Sequence, residues 1–188
     1  VKESYARKDT FTVLHIGRFM DVKNHELLLR SFSRFKGQHS DARLQLLGDG
    51  ELKENMMQLA GQLNIADAVE FAGLQSSVYP WLHNADVFIL PSKFEGMPMT
   101  LIEAMGTGLP IIASDVGGIP DMLTDQKDAV LTEPKEECII SALELIYSDE
   151  EKRKYLGRNA RDRSAVFSEK TMAKRYIDVY IDASGEEV

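Results

Sequence analysis

Two glutamates, Glu95 and Glu103, bracket a segment whose residue types suit the binding of a phosphorylated sugar. Gly96 and Pro98 predict that the segment begins as a loop, and residues 100–105 then predict a short helix. Proline is tolerated in the first turn of a helix, because the N–H group that it lacks has no partner there. The segment therefore predicts a loop that leads into a helix N-terminus, with one carboxylate before that end and one about one turn inside.

The start of this predicted helix favours an anion. The backbone N–H groups of Met97, Met99 and Thr100 would point outward, unpaired, from the positive end of the helix. Carboxylates beside such a site do not bind phosphate, but they accept hydrogen bonds from sugar hydroxyls. A nucleotide-sugar presents hydroxyls on both sides of a diphosphate, so the arrangement predicts a nucleotide-sugar site.

Two basic residues, Arg18 and Lys23, flank a predicted strand-to-helix turn. Arginine offers a fork of donors and lysine a point charge, and both suit a diphosphate with its roughly two negative charges. The alternative interpretation is a pair of solvated cations in a loop. The diphosphate interpretation is favoured because Glu95 and Glu103 follow another predicted strand, and parallel sheets bind ligands at the C-terminal ends of their strands.

The elements that must position these residues alternate between short apolar runs, which predict strands, and segments with apolar residues three or four apart, which predict helices. This alternation predicts an α/β fold, a Rossmann-like doubly wound parallel sheet with a helical C-terminal tail from about residue 134. The predicted strands are Phe11–Ile16, Arg43–Leu47, Val69–Ala72, Val87–Leu90, Pro110–Ala113 and Ala129–Leu131. The predicted helices are His25–Phe35, Leu52–Leu63, Val78–Asn84, Met99–Met105, Glu136–Tyr147, Glu150–Phe167 and Glu169–Ile181.

The bulk composition indicates a single domain over residues 1–188, with 44% apolar and 28% charged residues. A net charge of −8 argues against a nucleic-acid surface. Cys138 is the only cysteine, which excludes an internal disulfide and fits a reducing compartment. No apolar run approaches the roughly 20 residues that span a bilayer. The chain begins with Val1 rather than methionine, which hints at a domain cut from a longer protein.

Several short motifs, in their order along residues 11–182, resemble those of glycosyltransferase family 4. Each motif is weak by itself, and the ordered set carries the resemblance. The motifs are Gly17-Arg18-Phe19, Lys23-Asn24-His25, Leu47-Gly48-Asp49-Gly50-Glu51-Leu52, Phe71-Ala72-Gly73, the run from Ala85 to Ser92, Phe94-Glu95-Gly96, Leu101-Ile102-Glu103-Ala104, Gly108-Leu109-Pro110 and Gly117-Gly118.

Members of this family are retaining enzymes of the GT-B fold, in which two Rossmann-like halves enclose a cleft. The resemblance is to the C-terminal, donor-binding half only, and it implies that the N-terminal acceptor half is absent. Joined to that half, the protein would transfer a hexosyl group from a nucleotide-sugar to an acceptor, whereas the isolated domain would be inactive. The resemblance implies no metal and no other cofactor. It also implies a cytoplasmic protein and leaves open a peripheral association of the full-length protein with the inner face of the membrane.

The same resemblance assigns roles to individual residues. Arg18 and Lys23 would hold the donor diphosphate and stabilise the charge of the leaving nucleoside diphosphate, and Glu95 would face the transferred sugar. These three are the predicted catalytic residues. Glu103 would accept hydrogen bonds from the ribose hydroxyls. The other predicted donor-binding residues are Gly17, the base-binding Gly73, Leu74 and Gln75, and the loop and helix-end residues Gly96, Met97, Pro98, Met99 and Thr100.

Some alternatives remain beside this interpretation. A non-catalytic nucleotide-sugar sensor, or a subunit of a split glycosyltransferase, would keep the same charged side chains. The run Gly48-Asp49-Gly50 lacks the third glycine of a dinucleotide-binding loop and favours a tight turn. The pair Gly117-Gly118 would either let the backbone approach a phosphate or permit a left-handed turn. The histidines show no zinc-ligand spacing, and His15 is predicted to be a satisfied core or cleft-edge side chain.

Overall fold

The computed structural model describes residues 9–184, in which six strands alternate with helices. The strands are β1 (Phe11–Ile16), β2 (Ala42–Leu47), β3 (Val69–Gly73), β4 (Val87–Leu90), β5 (Ile111–Ser114) and β6 (Val130–Thr132). The helices are α1 (His25–Gln38), α2 (Lys53–Gln62), α3 (Tyr79–Asn84), α4 (Met99–Thr107), α5 (Ile119–Met122), α6 (Glu136–Ser148), α7 (Glu150–Ser164) and α8 (Glu169–Ser184). Short 3-10 turns lie at Asp21–Lys23, Ala66–Ala68 and Ala165–Phe167.

The strands form one sheet in the order β3-β2-β1-β4-β5-β6, and every neighbouring pair is parallel. The chain order reverses between β1 and β4, which is the position where open parallel sheets bind ligands. The register between these two strands pairs only Val13 with Val87 and Leu14 with Phe88. Beyond Leu14 the ladder stops, so a crevice lies between the C-terminal ends of β1 and β4.

Helices cover both faces of the sheet, as the side chains of β1 illustrate. Phe11 and Val13 belong to a core cluster on one face, and Leu14 and Ile16 belong to a second cluster on the other face. The first cluster includes residues of α1, α2 and α6, and the second includes residues of α4 and α5. All four residues of β4 are fully buried, because this central strand faces a helical layer on each side.

The structure confirms the predicted fold class and the predicted order of strands and helices, with shifts at the ends of several elements. Pro110 lies just before β5 rather than inside it, because proline lacks the N–H group that a central strand donates. Its carbonyl still accepts a hydrogen bond of 2.9 Å from the backbone of Phe88. Helix α5 was not predicted, because four residues are too few to show a helical period.

None of the helices within residues 9–184 combines the length and the apolar character that crossing a membrane requires.

Candidate functional site

Two loops meet above the crevice: residues 17–24, which follow β1, and residues 91–98, which follow β4. The backbone N–H of Lys93 donates to Val22 at 2.8 Å, and the Asn24 side chain donates to the carbonyl of Pro91 at 3.2 Å. The ammonium of Lys93 also pairs with Asp21 at 2.6 Å. These contacts hold the β1 loop and the β4 loop together as one unit.

A further contact between these loops joins two of the predicted site residues. The Lys23 ammonium lies 2.6 Å from Oε1 of Glu95 and donates to it. Ser92 donates its hydroxyl to the same oxygen, also at 2.6 Å. Both Ser92 and Glu95 are buried, while Lys23 is only partly covered. The structure therefore brings Lys23 and Glu95 together and adds Ser92, which the sequence did not indicate.

The loop between β5 and α5, residues 115–118, contacts the backbone of Glu95. Gly117 adopts a left-handed conformation with φ of 56°, and a Cβ atom at this position would lie 2.0 Å from the Glu95 carbonyl oxygen. Gly118 donates its N–H to that same oxygen at 2.9 Å, and its own Cβ would meet the Gly96 carbonyl at 2.3 Å. The glycine pair thus provides a left-handed turn, and the backbone that it approaches closely is that of Glu95 and Gly96.

Helix α4 begins immediately after the β4 loop. Pro98 is its N-cap residue, and the carbonyl of Pro98 accepts the backbone N–H of Leu101 at 3.1 Å. In the described part of the chain, the N–H groups of Met99 and Thr100 have no acceptor. The side chains of Met97 and Met99 are exposed. An anion placed at this helix end would find two free backbone donors.

A cleft of about 560 Å³ lies beside these loops. It brings together four predicted site residues from different elements, namely Gly17, Arg18, Leu74 and Thr100. The remaining residues that line it are Ile16, Gly48, Asp49 and Gly50.

Close backbone contact shapes one wall of this cleft. Gly48 has a φ of 130°, and a Cβ atom there would lie 2.1 Å from the carbonyl oxygen of Gly17. Gly48 also donates its N–H to the carbonyl of Gly73 at 2.9 Å. The turn that follows is closed by a hydrogen bond of 2.9 Å from the Gly50 N–H to the Asp49 carboxylate. The hydrogen-bonded turn itself begins at Gly50, whose carbonyl accepts the N–H of Lys53 at 3.1 Å, so the tight turn predicted at Gly48-Asp49-Gly50 lies slightly later in the chain.

Other predicted residues lie around the cleft without lining it. Glu103 follows Thr100 by three positions on α4, so both side chains lie on one face of the helix. Partial desolvation raises the pKa of the Glu103 carboxyl above its ordinary value. Gln75 is exposed and donates its side-chain amide to the carbonyl of Ala72 at 2.6 Å. Arg18, by contrast, does line the cleft; its side chain is exposed and makes no ion pair with any residue that the structure describes.

His15 spans the gap where the β1–β4 ladder ends. Its imidazole is completely buried, and Nδ1 lies 2.9 Å from the carbonyl oxygen of Ile89, so Nδ1 carries the donated hydrogen. Burial lowers the pKa of His15 to about 4. The prediction of a satisfied core histidine is correct only for one nitrogen, since Nε2 has no partner among the described residues.

A second buried imidazole, His25, packs against the first. Its ring stacks on Phe19 with a centroid distance of 4.1 Å and meets the edge of His15 at 4.7 Å. Neither of its ring nitrogens has a hydrogen-bond partner in the described part of the structure. Burial, followed by repulsion from His15 and Lys23, lowers the pKa of His25 to about 2. Both imidazoles are therefore neutral in the folded protein at physiological pH.

Across residues 9–184 we find no group of three or more His, Cys, Asp or Glu side chains that could hold a metal ion. That the reaction needs no metal remains a prediction.

Comparisons with known proteins bear on the family and on the fold of the chain. A sequence model of the family described as "Glycosyl transferases group 1" matches residues 1–163. N-acetyl-alpha-D-glucosaminyl L-malate synthase of Bacillus anthracis is 31% identical over 186 residues, which make up 97% of this chain and 48% of that relative. The chain spans about half the length, or less, of the curated relatives that it matches first.

Two solved structures share the fold. The C-terminal domain of a glycosyl transferase group 1 family protein (LpcC) from Francisella tularensis superposes with a TM-score of 0.76 at 20% identity, covering 83% of this chain and 85% of that one. HepE of Anabaena, solved in complex with UDP-glucose, superposes with a TM-score of 0.84 at 18% identity, covering 93% of this chain and 49% of that one. At these identities the superpositions concern the fold alone.

Proposed function

The chain belongs to the group 1 glycosyl transferases, and we propose that it is the nucleotide-sugar-binding half of a retaining enzyme of family 4. Joined to an N-terminal half, it would transfer a hexosyl group from a nucleoside-diphosphate sugar to an acceptor. One observation carries the proposal. Lys23 and Glu95 come from loops that are 72 residues apart in sequence, and they meet at 2.6 Å over the crevice where the strand order reverses.

The positions of these groups support a division of the site into four parts. Arg18 and the free N–H groups of Met99 and Thr100 supply donors for a diphosphate. Glu95 offers a carboxylate to the hydroxyls of the transferred sugar. Glu103, one turn further along α4 than Met99 and Thr100, offers one to the ribose. The base would rest against Leu74, a side chain that is 78% exposed and lines the cleft.

The chemistry that follows from these groups is stabilisation of a leaving group. When the bond between the sugar and the diphosphate breaks, negative charge grows on the diphosphate. The guanidinium of Arg18, the ammonium of Lys23 and the α4 N-terminus would all lower the energy of that charge. We assign no protein nucleophile, and the acceptor would attack from the face that the nucleotide leaves.

We propose that no metal ion takes part. Two cations and a helix end at one diphosphate supply the charge compensation that a divalent ion supplies elsewhere. Donor binding would therefore withstand a chelator.

The acceptor site and any contact with a membrane would belong to the other half of the protein. The chain matches about half of the length of two relatives that are named as an N-acetylgalactosaminyltransferase and as an N-acetyl-alpha-D-glucosaminyl L-malate synthase. We propose a cytoplasmic full-length enzyme, with a peripheral association at the inner face of the membrane for a lipid-linked acceptor. Transfer activity after the missing half is supplied distinguishes this enzyme from a nucleotide-sugar sensor, which would bind the donor without turnover.

The test is a thermal-shift series with UDP-, GDP- and ADP-sugars. A ligand that binds only the folded state stabilises it by about 2.7 kcal/mol at a concentration of 100 times its Kd. We expect one nucleotide class to raise the Tm and the other two to leave it unchanged. The matched control is Arg18→Ala, which removes an exposed side chain and should reduce the shift by about half or more without lowering the Tm of the free protein. No shift with any of the three classes would refute the proposal.

A further inference from the structure

Ser92 is a buried polar residue to which the proposed reaction gives no task. It follows β4 by two positions, after Pro91, and its side chain is completely inaccessible to solvent. Its hydroxyl donates to Oε1 of Glu95 at 2.6 Å. Because Ser92 is buried behind Glu95, it cannot itself reach a ligand in the cleft, and any effect on a ligand must pass through that carboxylate.

The Glu95 carboxylate is held at one oxygen by two donors from different loops. Lys23 approaches Oε1 from the β1 loop, and Ser92 approaches it from the β4 loop. The backbone of Glu95 is also fixed, since its carbonyl accepts the N–H of Gly118 at 2.9 Å. Rotation of the carboxylate would break both bonds at Oε1. The second oxygen, Oε2, therefore keeps one direction and retains its capacity to accept hydrogen bonds.

The two donors differ in what a diphosphate would do to them. Lys23 carries a positive charge on a flexible stem, so a diphosphate in the site would compete with Glu95 for its ammonium. The Ser92 hydroxyl is neutral and buried, and a diphosphate exerts no comparable attraction on it. Once a sugar nucleotide is bound, the hydrogen bond from the Ser92 hydroxyl is the contact that still holds Oε1 of Glu95 in place.

We propose that Ser92 is a positioning residue, which fixes Glu95 so that Oε2 faces the hydroxyls of the transferred sugar. The inference rests on the proposed function, because it requires a sugar nucleotide in the cleft. It predicts a specific signature. Loss of the Ser92 hydroxyl weakens recognition of the sugar and leaves recognition of the nucleotide intact, since Arg18 and the α4 N-terminus do not contact Ser92.

The experiment measures the Kd of UDP and of UDP-glucose by calorimetry on the 188-residue chain. The ratio of the two constants is the sugar preference. We expect the unaltered chain to bind UDP-glucose more tightly than UDP. In Ser92→Ala the Kd of UDP should stay within about twofold, and the sugar preference should fall by about tenfold, the scale of one hydrogen bond to a charged group.

Two further variants separate positioning from a general structural effect. Ser114→Ala is the matched control, because Ser114 is also a buried serine at the end of a strand, and its hydroxyl has no partner in the described structure. It should leave the sugar preference unchanged. Glu95→Ala should abolish the preference, and adding Ser92→Ala to it should lower the preference no further, because Ser92 acts through Glu95.

Each outcome bears on one of the two proposals. If the unaltered chain binds neither UDP nor UDP-glucose, the same pair of constants is measured for GDP and ADP and their glucose conjugates, and binding of none of the three pairs refutes the proposed function. If it binds UDP but shows no sugar preference, or if Ser92→Ala keeps the preference, nucleotide binding stands and the positioning role is overturned. The role is also overturned if Ser92→Ala weakens UDP and UDP-glucose equally, or if its effect adds fully to that of Glu95→Ala.

Discussion

Replacement of His25 by phenylalanine should make the folded chain less sensitive to acid. Phenylalanine keeps a flat ring in place of the imidazole that stacks on Phe19, and the two ring nitrogens that it removes have no hydrogen-bond partner in the described structure. The phenyl ring is larger by one atom, so at pH 8 the removal of a buried polar group is offset by tighter packing, and the variant should lie within about 2 kcal/mol of the unaltered chain.

The pH dependence follows from the pKa difference between the two states. In the unfolded chain His25 titrates near its ordinary pKa of 6.5, whereas burial lowers its pKa to about 2 in the folded chain. Between these two pKa values, unfolding takes up a proton at His25. The free energy of unfolding is therefore undiminished by His25 well above pH 6.5 and decreases as the pH falls below that value. The loss is about 1.4 kcal/mol per pH unit, which accumulates to about 2.7 kcal/mol at pH 4.5.

The assay is urea unfolding of both proteins at several pH values from 8 to 4.5. The difference between their free energies of unfolding cancels the contributions of the carboxylates, which both proteins share. We expect this difference to be constant above pH 7.5 and to grow in favour of His25→Phe below pH 6.5. A difference that does not change with pH would refute the reasoning, since His25 would then titrate alike in both states. A loss at pH 8 that stays the same at every pH would measure the fit of the larger phenyl ring, and only the part of the difference that changes with pH tests the reasoning.

Three further predictions concern the site. Lys23→Ala should weaken binding of a nucleoside diphosphate by about 1–3 kcal/mol in calorimetry, whereas the exposed Lys93→Ala should not, and equal affinity of the two variants would count against the assignment. Gly117→Ala should lower stability by more than about 2 kcal/mol in urea unfolding, because its φ is positive and Glu95 blocks the Cβ. Gly106→Ala, with no atom within 4 Å of its Cβ, is the control and should be neutral or stabilising. EDTA should leave the thermal shift of a UDP-sugar unchanged, and a shift that returns only with Mg²⁺ would contradict metal-free binding.

The sheet could be predicted from the sequence because its central strands are buried on both faces. Val87–Leu90 shows this directly, since four consecutive apolar residues have no alternative to burial in a small domain. The gathering of the candidate site residues at one edge of the sheet could also be predicted, because residues that follow parallel strands meet there.

The contacts within the site could not be predicted. The pairing of Lys23 with Glu95 depends on how far β1 and β4 separate beyond Leu14, and no periodicity in the sequence reports that separation. The hydrogen bond from Ser92 to Glu95 could not be predicted either, because a serine after a strand usually caps or turns the chain. The structure also shows that His15 fills the gap left by the missing ladder bonds.

The bonds that join the β1 loop to the β4 loop have a consequence for motion. Backbone, side-chain and charged contacts all cross between these two segments, so neither can be displaced without the other. An incoming nucleotide-sugar would therefore meet the β1 loop and the β4 loop as one rigid surface. Adjustment to different bases would fall to the region around Leu74 and Gln75, where both side chains are exposed. The sequences of relatives that accept different nucleotides would accordingly be expected to differ around Leu74 and Gln75 and to agree in the β1 loop and the β4 loop.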